Sequence, residues 1–223
     1  MTGLTPIQHS LVDALSTLML FTALLIVELK RLDSSIRCYV AQASLLVAIF
    51  VTLGFRYPWF FWWSASATVT KVVLAPKVMM WALRKARYVA ELEEPLIPTP
   101  LSIASIITIY VVSAILAYRI SLSSHALAMI GVPPLATAIA LILVGLFAVT
   151  TRRNALKQVL GIVMFENGSH VMLACAAFYV PETVEIGIAT DAIVMVAIMS
   201  VLAYLMARIR GDMDVSKLVA LRY

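Results

Sequence analysis

Seven stretches of mostly apolar residues follow one another along the chain, separated by short segments rich in charge or proline. A helix that crosses the roughly 30 Å hydrocarbon layer of a membrane needs about 20 such residues. The pattern therefore predicts an all-α, polytopic integral membrane protein with about seven transmembrane helices. The second stretch is short and the third is interrupted, so counts of six or eight stay open. The predicted helices cover 8–29, 38–56, 59–83, 101–119, 132–151, 158–180 and 184–208.

The composition supports this class. Of the 223 residues, 62% are hydrophobic and 13% are charged, whereas soluble domains are roughly half apolar and about a quarter charged. The net charge of +5 is therefore read as loop charge, with no nucleic-acid partner expected. Thirteen of the 17 basic residues lie on alternate connections or the tail, against two, Arg56 and Arg119, on the other side. Because basic loops stay in the cytoplasm, the N-terminus is predicted outside and the C-terminus inside.

The longest connection, residues 91–100, carries Glu91, Glu93 and Glu94 among prolines. It is interpreted as a solvated cytoplasmic linker or, alternatively, as a docking strip for a neighbouring subunit. The chain is divided accordingly into an N-terminal three-helix segment (1–90), this acidic loop (91–100), a fourth helix with an outer loop (101–131), a three-helix segment (132–208) and a cytoplasmic tail (209–223).

Glu166 lies inside the sixth apolar stretch, and His170 follows four residues later. A carboxylate at bilayer depth costs at least about 2.5–3.5 kcal/mol, so such residues usually mark an ion or proton path. The spacing places both side chains on one helix face. The two residues are interpreted as a proton relay. The alternative for Glu166 is a structural hydrogen bond to a partner subunit. Gly168, between them, fits either close helix packing or a π-bulge.

The third stretch contains two lysines, Lys71 and Lys77, and a proline between them in the sequence, Pro76. Proline leaves a backbone carbonyl unpaired near residue 72 and predicts a kink there. Helical spacing places Ser66, Thr70 and Lys77 on one face. The two lysines are predicted to belong to an ion path or, alternatively, to an ion pair that fixes packing.

Further acidic and aromatic residues complete the set of candidates. Asp191 is predicted deep in the last helix, and Glu185 at its outer mouth. Glu28 is expected to pair with Lys30 and Arg31 at the cytoplasmic interface. Trp59, Trp62 and Trp63 are expected to form an outer aromatic belt.

Nothing in the sequence predicts a cofactor in this chain. Cys38 and Cys175 form no CxxC pair and are interpreted as inert buried thiols. There is no nucleotide-binding loop, nucleophile elbow or metal-ligand cluster. The chain is therefore expected to be non-catalytic alone.

Several runs resemble the hydrogenase-4 component E family. They are WSASA at 63–67, TKVVLAP at 70–76, RNALKQ at 153–158, ENGSH at 166–170 and EIGIATDA at 185–192, with the tail after Asp214. The last three helices are also similar to the K-type subunit of respiratory complex I and the C-type subunit of Mrp antiporters. Glu166 matches the intramembrane Glu of that group, and Asp191 is the nearest equivalent of its second carboxylate.

The resemblance implies a subunit of an energy-converting hydrogenase or formate hydrogenlyase in a prokaryotic cytoplasmic membrane. Its partners would be antiporter-like subunits, a helical linking subunit and a hydrophilic redox arm holding a [NiFe] centre and iron–sulfur clusters. The first hypothesis is that the chain contributes Lys71, Lys77, Glu166, His170, Asp191 and Glu185 to proton or Na⁺ translocation. The second is a structural anchor without an ion path; a free-standing transporter is disfavoured, because the sequence shows no inverted repeat.

Overall fold

The computed structural model describes residues 4–86, 96–123, 131–176, 182–211 and 213–215. Throughout these residues the chain is helical, apart from turns and one isolated β-bridge between Asn154 and Asp214. The all-α class is confirmed. The elements are α1 (Pro6–Glu28), α2 (Leu32–Gly54), α3 (Phe60–Ala67), a π-helical segment (Thr68–Leu74), α4 (Ala75–Lys85), α5 (Thr99–Ser123), α6 (Val132–Thr151), α7 (Ala155–Ala176) and α8 (Glu182–Arg210).

The seven predicted helices are all found, because α3, the π-helical segment and α4 run on without a break as one rod. Within the described residues, four of the rods are long and apolar enough to cross a membrane by length and composition: α1, α2, α5 over Thr99–Leu122, and α6. A shorter apolar helix spans Ile193–Ile209 within α8. Of the other rods, the third carries the buried Lys71, and α7 carries the buried Lys157, Glu166, Asn167 and His170; these side chains lower the hydropathy of the two rods.

Local chemistry explains where helices begin. At α1, Thr5 and Gln8 form a capping box, in which the Gln8 N–H donates to Thr5 Oγ1 (3.3 Å) and the Thr5 N–H donates to Gln8 Oε1 (2.9 Å). Pro6 occupies the first helical position, where its missing N–H is harmless. At α7, the Leu156 N–H donates to Asn154 Oδ1 at 2.9 Å, as an N-cap does. These caps start α1 and α7 two or three residues before the predicted boundaries.

The second helix begins six residues earlier than predicted, at Leu32 instead of 38. The charged residues between 30 and 37 had suggested a turn. Asp33 instead lies in the first turn of α2, where a negative charge interacts favourably with the helix dipole. It pairs there with Arg31 Nε at 3.2 Å and with Arg37 at 3.7 Å.

The irregularity predicted before Pro76 is a π-helical segment rather than a simple kink. The Ala75 N–H donates to Thr70 O, five residues back, which is the π pattern. Thr70 Oγ1 also donates to the Ser66 carbonyl at 2.9 Å. The wider turn buries Lys71, whereas Lys77 is exposed.

α6 and α7 form the most extensive helix pair and meet backbone to backbone. A Cβ on Gly145 would lie 2.6 Å from Gly161 O and 2.6 Å from Phe165 N, and one on Gly168 would lie 2.7 Å from Ile142 N. Of the two roles open to Gly168, the structure thus gives close packing. α7 also contacts α1, α2 and α8, so it is a central helix of the bundle.

One end of the bundle gathers the starts of α2, α5 and α7 and the ends of α1, α4, α6 and α8; we call it the basic end. The Val215 N–H donates to Arg153 O (2.8 Å), and the Leu96 N–H donates to Thr151 O (3.2 Å), which hold the segments after α8 and before α5 against the α6–α7 turn. Exposed cations at this end include Lys30, Arg31, Arg37, Arg84, Lys85 and Arg208.

Candidate functional site

A buried ion pair joins two distant parts of the chain. Lys71 Nζ, in the π-helical segment, lies 2.5 Å from Glu166 Oε1 on α7. The two residues are 2% and 7% exposed. Glu166 lies eleven residues from the start of α7, about 16 Å along a helix of about 33 Å, so the pair is near mid-depth. Two opposite charges placed there satisfy each other in a region where neither is stable alone.

Amide groups extend the ion pair toward α1. Lys71 Nζ also donates to Asn167 Oδ1 at 3.1 Å, and Asn167 Nδ2 donates to Gln42 Oε1 at 3.2 Å. Gln42 Nε2 in turn donates to the carbonyl of Met19 at 3.3 Å. Lys71, Gln42 and Asn167 are all buried. The chain of donors and acceptors fixes the orientation of the Lys71 ammonium and links α1, α2 and α7 at one level.

His170 lies one turn from Glu166, as the spacing predicted. Its Nδ1 is 3.0 Å from the Glu166 carbonyl and 3.7 Å from the Glu166 carboxylate oxygen Oε1. A carbonyl only accepts, so Nδ1 carries the hydrogen in this contact, and Nε2 is the ring nitrogen that can take up a further proton. The acid and the imidazole therefore lie within reach of each other on one face of α7.

An aromatic cluster borders the site on the side away from the basic end. The Phe50 ring centroid lies 6.4 Å from that of His170 and 5.7 Å from that of Trp63, and Phe60 lies 4.8 Å from Trp63. Trp63 is fully buried, so the expectation that it belongs to a lipid-facing belt is wrong. Trp62 is exposed, as the belt requires, and Trp59 is half-buried. The aromatic cluster closes the side of the site away from the basic end with apolar rings.

Tyr39 is a further polar residue of the site that the sequence did not single out. It lies on the buried stripe of α2, three residues before Gln42, and is fully buried. Its hydroxyl lies within electrostatic range of Glu166. Among the described residues this hydroxyl has no hydrogen-bond partner. A buried hydroxyl within electrostatic range of a carboxylate can orient its dipole toward that charge.

Of the other predicted site residues, the structure describes the side chain of Lys77, which is not assembled with this cluster. Lys77 is exposed and lines an open groove between α2 and α4. Asp191 and Glu185 fall in α8, but their side chains lie outside the described residues. The structure thus brings together Lys71, Glu166 and His170, and it separates Lys77 from them.

A second polar network lies at the basic end. Arg152 is buried and donates to Glu28 Oε1 at 2.7 Å and to Ser102 Oγ at 2.9 Å. Ser102 Oγ donates to the same Glu28 oxygen at 2.5 Å. The predicted pairing of Glu28 with Lys30 and Arg31 is therefore wrong. Arg152 was read from the sequence only as a loop charge.

Lys157 was also read as a loop charge, but it is buried inside α7. Its ammonium donates to the carbonyls of Ile26 (2.6 Å) and Leu29 (2.6 Å) and to Ser35 Oγ (2.8 Å). The last carbonyls of a helix have no intrahelical donor, and a cation there also interacts favourably with the dipole. Lys157 thus caps the C-terminus of α1 from a neighbouring helix.

The described residues contain no group of three or more His, Cys, Asp or Glu side chains that could hold a metal ion. Cys38 and Cys175 are free thiols, the first half-buried and the second buried.

Comparison with known proteins places the chain in a family. The profile described as NADH-ubiquinone/plastoquinone oxidoreductase chain 4L matches residues 133–223. The proteins named hydrogenase-4 component E of Escherichia coli K12 and Shigella flexneri are each 37% identical to the chain over 214 residues, which are 95% of this chain and 97% of theirs. An uncharacterised protein of Mycobacterium tuberculosis is 39% identical over 89 residues, 38% of this chain and 39% of its own.

No solved structure matches the chain significantly. The relatives from Escherichia coli and Shigella flexneri are matched over nearly their whole length, so the similarity includes the first four rods as well as the last three. The buried pair draws one residue from each of these two parts, Lys71 and Glu166. On this full-length similarity, the chain belongs to the hydrogenase-4 component E family.

Proposed function

We propose that this chain is a membrane-arm subunit of an energy-converting hydrogenase-like complex, in which the Lys71–Glu166–His170 cluster takes part in ion translocation. The full-length similarity to hydrogenase-4 component E and the match to an oxidoreductase chain over 133–223 support membership of such a multi-subunit membrane complex. The redox chemistry, at a [NiFe] centre and iron–sulfur clusters, belongs to partner subunits. Antiporter-like and linking membrane subunits would be the neighbours of this chain, in the cytoplasmic membrane of a prokaryote.

The observation that carries the proposal is the 2.5 Å contact between Lys71 Nζ and Glu166 Oε1 at mid-depth. The Lys71 ammonium offsets the negative charge of the Glu166 carboxylate inside the bundle. Charge in a neighbouring subunit that attracts or repels this ammonium would change the interaction between the two groups. The pair can therefore couple an event in a neighbouring subunit to the interior of this chain.

His170 and Tyr39 give the carboxylate two proton-bearing neighbours. A proton held on Glu166 can pass to His170 only at Nε2, because Nδ1, which lies 3.7 Å from Glu166 Oε1, already carries a hydrogen. The Tyr39 hydroxyl offers a second direction, toward the basic end along α2. The aromatic rings of Phe50, Phe60 and Trp63 block a direct route from the Lys71–Glu166–His170 cluster to the end of the bundle opposite the basic end. This arrangement favours lateral transfer through the plane of the membrane over a pore across this subunit.

A second function is supported by the same ion pair. A buried pair can serve only to fix the packing of the third rod against α7, and replacing one partner then destabilises the fold by about 3–5 kcal/mol. Under this alternative the chain is an assembly subunit, and translocation belongs entirely to its neighbours. The buried amides of Gln42 and Asn167 are compatible with either role.

The experiment compares Glu166→Gln with Glu28→Gln in the intact complex reconstituted into proteoliposomes. Glutamine keeps the size and the accepting oxygen of glutamate but cannot carry a proton. Both variants make the same chemical change in a carboxylate paired with a buried cation, one at mid-depth and one at the basic end. We expect Glu166→Gln to lose redox-driven ΔpH and Δψ down to the leak of protein-free vesicles, and Glu28→Gln to keep them.

Native gels and the rate of the redox reaction provide the controls for assembly and for the partner subunits. Normal gradients in a fully assembled Glu166→Gln complex would assign the chain to the assembly role. Replacing Na⁺ by K⁺ in the same assay distinguishes a proton from a sodium ion as the transported species.

A further inference from the structure

An open groove of about 880 Å³ lies between the start of α2 and the rod formed by the π-helical segment and α4. Its floor is apolar and includes Ile36, Val72 and Pro76. Val72 lies thirteen residues before Lys85, so the floor runs about 20 Å from near mid-depth to the basic end. The groove is thus long in the direction of the membrane normal.

The polar lining of the groove is entirely basic. Arg37, Lys77, Arg84 and Lys85 line it, and no acidic residue does so among the described residues. All four are exposed. Of the described acidic side chains, Asp33 pairs with Arg37 at 3.7 Å, and none forms an ion pair with the other three. The groove therefore keeps an excess of positive charge near its end.

An aromatic residue, Trp81, lies one turn before Arg84 and Lys85 in the lining of the groove. One face of α4 carries Lys77, Trp81, Arg84 and Lys85, which occupy positions i, i+4, i+7 and i+8 in that order. The Lys85 ammonium lies 4.8 Å from the Trp81 ring centroid and 5.2 Å from that of Tyr204 on α8. Tryptophan and tyrosine prefer the level of lipid headgroups. This ordering marks the level at which the groove leaves the hydrocarbon layer.

We infer that this groove is a binding site for one anionic phospholipid, with its phosphate among Arg84, Lys85, Lys77 and Arg37 and an acyl chain along the apolar floor. Basic pockets between membrane helices bind such headgroups, and each cation near an anionic surface contributes on the order of 1 kcal/mol. A protein segment docking here would need acidic side chains at one end only and an apolar stretch along the membrane normal. A phospholipid has that polarity profile without further assumption.

The site does not include Lys71 or Glu166, so it does not depend on the proposed ion path. Its Val72 follows Lys71 directly, which places an acyl chain next to the π-helical segment. The bound lipid would fill the open side of the rod that carries the buried lysine.

The test uses the complex containing the full chain, stripped of lipid in detergent and offered nanodiscs of phosphatidylglycerol or phosphatidylcholine. Native mass spectrometry counts retained phospholipids, and titration with headgroup-labelled phosphatidylglycerol gives the affinity. The double variant Arg84→Gln/Lys85→Gln is compared with Arg56→Gln/Arg119→Gln, which removes the same charge from exposed residues elsewhere. We expect the first to weaken phosphatidylglycerol binding about 30-fold, at on the order of 1 kcal/mol per cation, and the second to leave it unchanged.

Lys77→Gln alone, at an exposed position, should weaken phosphatidylglycerol binding about fivefold. This single variant tests the site independently if the double variant does not fold. Equal retention of phosphatidylglycerol and phosphatidylcholine would overturn the proposal, as would unchanged binding in Arg84→Gln/Lys85→Gln. Full competition by inorganic phosphate would show a phosphate site instead of a lipid site. Loss of a protein subunit with lipid retained would show that the groove is a protein interface.

Discussion

At the scale of single residues, the three buried cations of the described region differ in their partners. Arg152 meets Glu28 and Ser102 at the basic end, and Lys157 meets the last carbonyls of α1. Lys71 alone among them meets a carboxylate near mid-depth, Glu166. Carbonyls cannot take up a proton, so Lys157 is a structural cap. Lys71 and Glu166 form the pair whose interaction a change of charge in a neighbouring subunit would alter.

Lys157→Met tests the capping role. Methionine keeps an apolar stem of similar length, but it leaves the carbonyls of Ile26 and Leu29 without this donor. Hydrogen bonds to charged groups contribute about 1.5–3 kcal/mol, and we expect a loss of that size in the free energy of unfolding. Denaturant titration of the purified chain measures it. Lys30→Met, at an exposed position, should change it by less than about 0.5 kcal/mol, and equal losses in both variants would contradict the cap.

At the scale of elements, two local features position the cluster. The π-helical segment turns Lys71 into the bundle, and the glycine contact between α6 and α7 draws the backbone next to Glu166 close to its neighbour. A Cβ added at Gly145 would lie 2.6 Å from backbone atoms of Gly161 and Phe165. Backbone cannot move aside as a side chain can. The position of Glu166 therefore depends on a residue one helix away.

Gly145→Ala tests this dependence. Overpacking of this kind costs about 1–3 kcal/mol, and the displaced α7 should reduce both the thermal stability of the complex and its translocation rate. Gly54→Ala is the matched control, because its added Cβ meets only the exposed side chain of Phe61, at 3.0 Å. Thermal denaturation followed by native gels measures the first effect. If Gly145→Ala behaves like Gly54→Ala, the close contact does not position the site.

At the scale of the whole molecule, charge divides the bundle into two unlike ends. The basic end carries exposed cations at the starts and ends of several helices, whereas Arg56 lies at the other end between α2 and α3. Since basic ends stay in the cytoplasm, we propose that the basic end is cytoplasmic. Seven rods then place the two termini on opposite sides of the membrane.

Cysteine labelling tests the orientation. Gly211 and Arg56 are exposed at opposite ends of the bundle. In a background without Cys38 and Cys175, a membrane-impermeant thiol reagent on intact cells should label Arg56→Cys and should label Gly211→Cys only after the cells are opened. The reverse pattern would invert the proposed topology.

Sequence periodicity was sufficient for the fold class and for part of the site. Glu166 and His170 share a face because they lie one turn apart in a regular helix. Lys71 was recognised as a buried charge, but its partner lies 95 positions further along the chain, and such a contact depends on how whole rods pack. Gln42 and Tyr39 were missed because a single polar residue in an apolar stretch gives no pairing information.

The errors have physical reasons as well. Lys77 was placed on a face with Ser66 and Thr70 by α-helical spacing. The π-helical segment contains Thr70 and ends before Lys77, and its wider turns shift the register of every later residue. The apolar pattern assigned Lys157 to a turn. The side chain of Asn154 caps α7 and starts this helix before Lys157, and such a cap cannot be seen in the apolar periodicity.

The most direct test is whether Glu166 changes its protonation during turnover. Redox-triggered infrared difference spectra of the intact complex report the appearance and loss of protonated carboxyl groups. We predict a carboxyl C=O band that shifts in D₂O, is absent in Glu166→Gln and persists in Glu28→Gln. A wild-type spectrum without a band that depends on Glu166, in a complex that translocates ions normally, would contradict a role for this residue in the ion path.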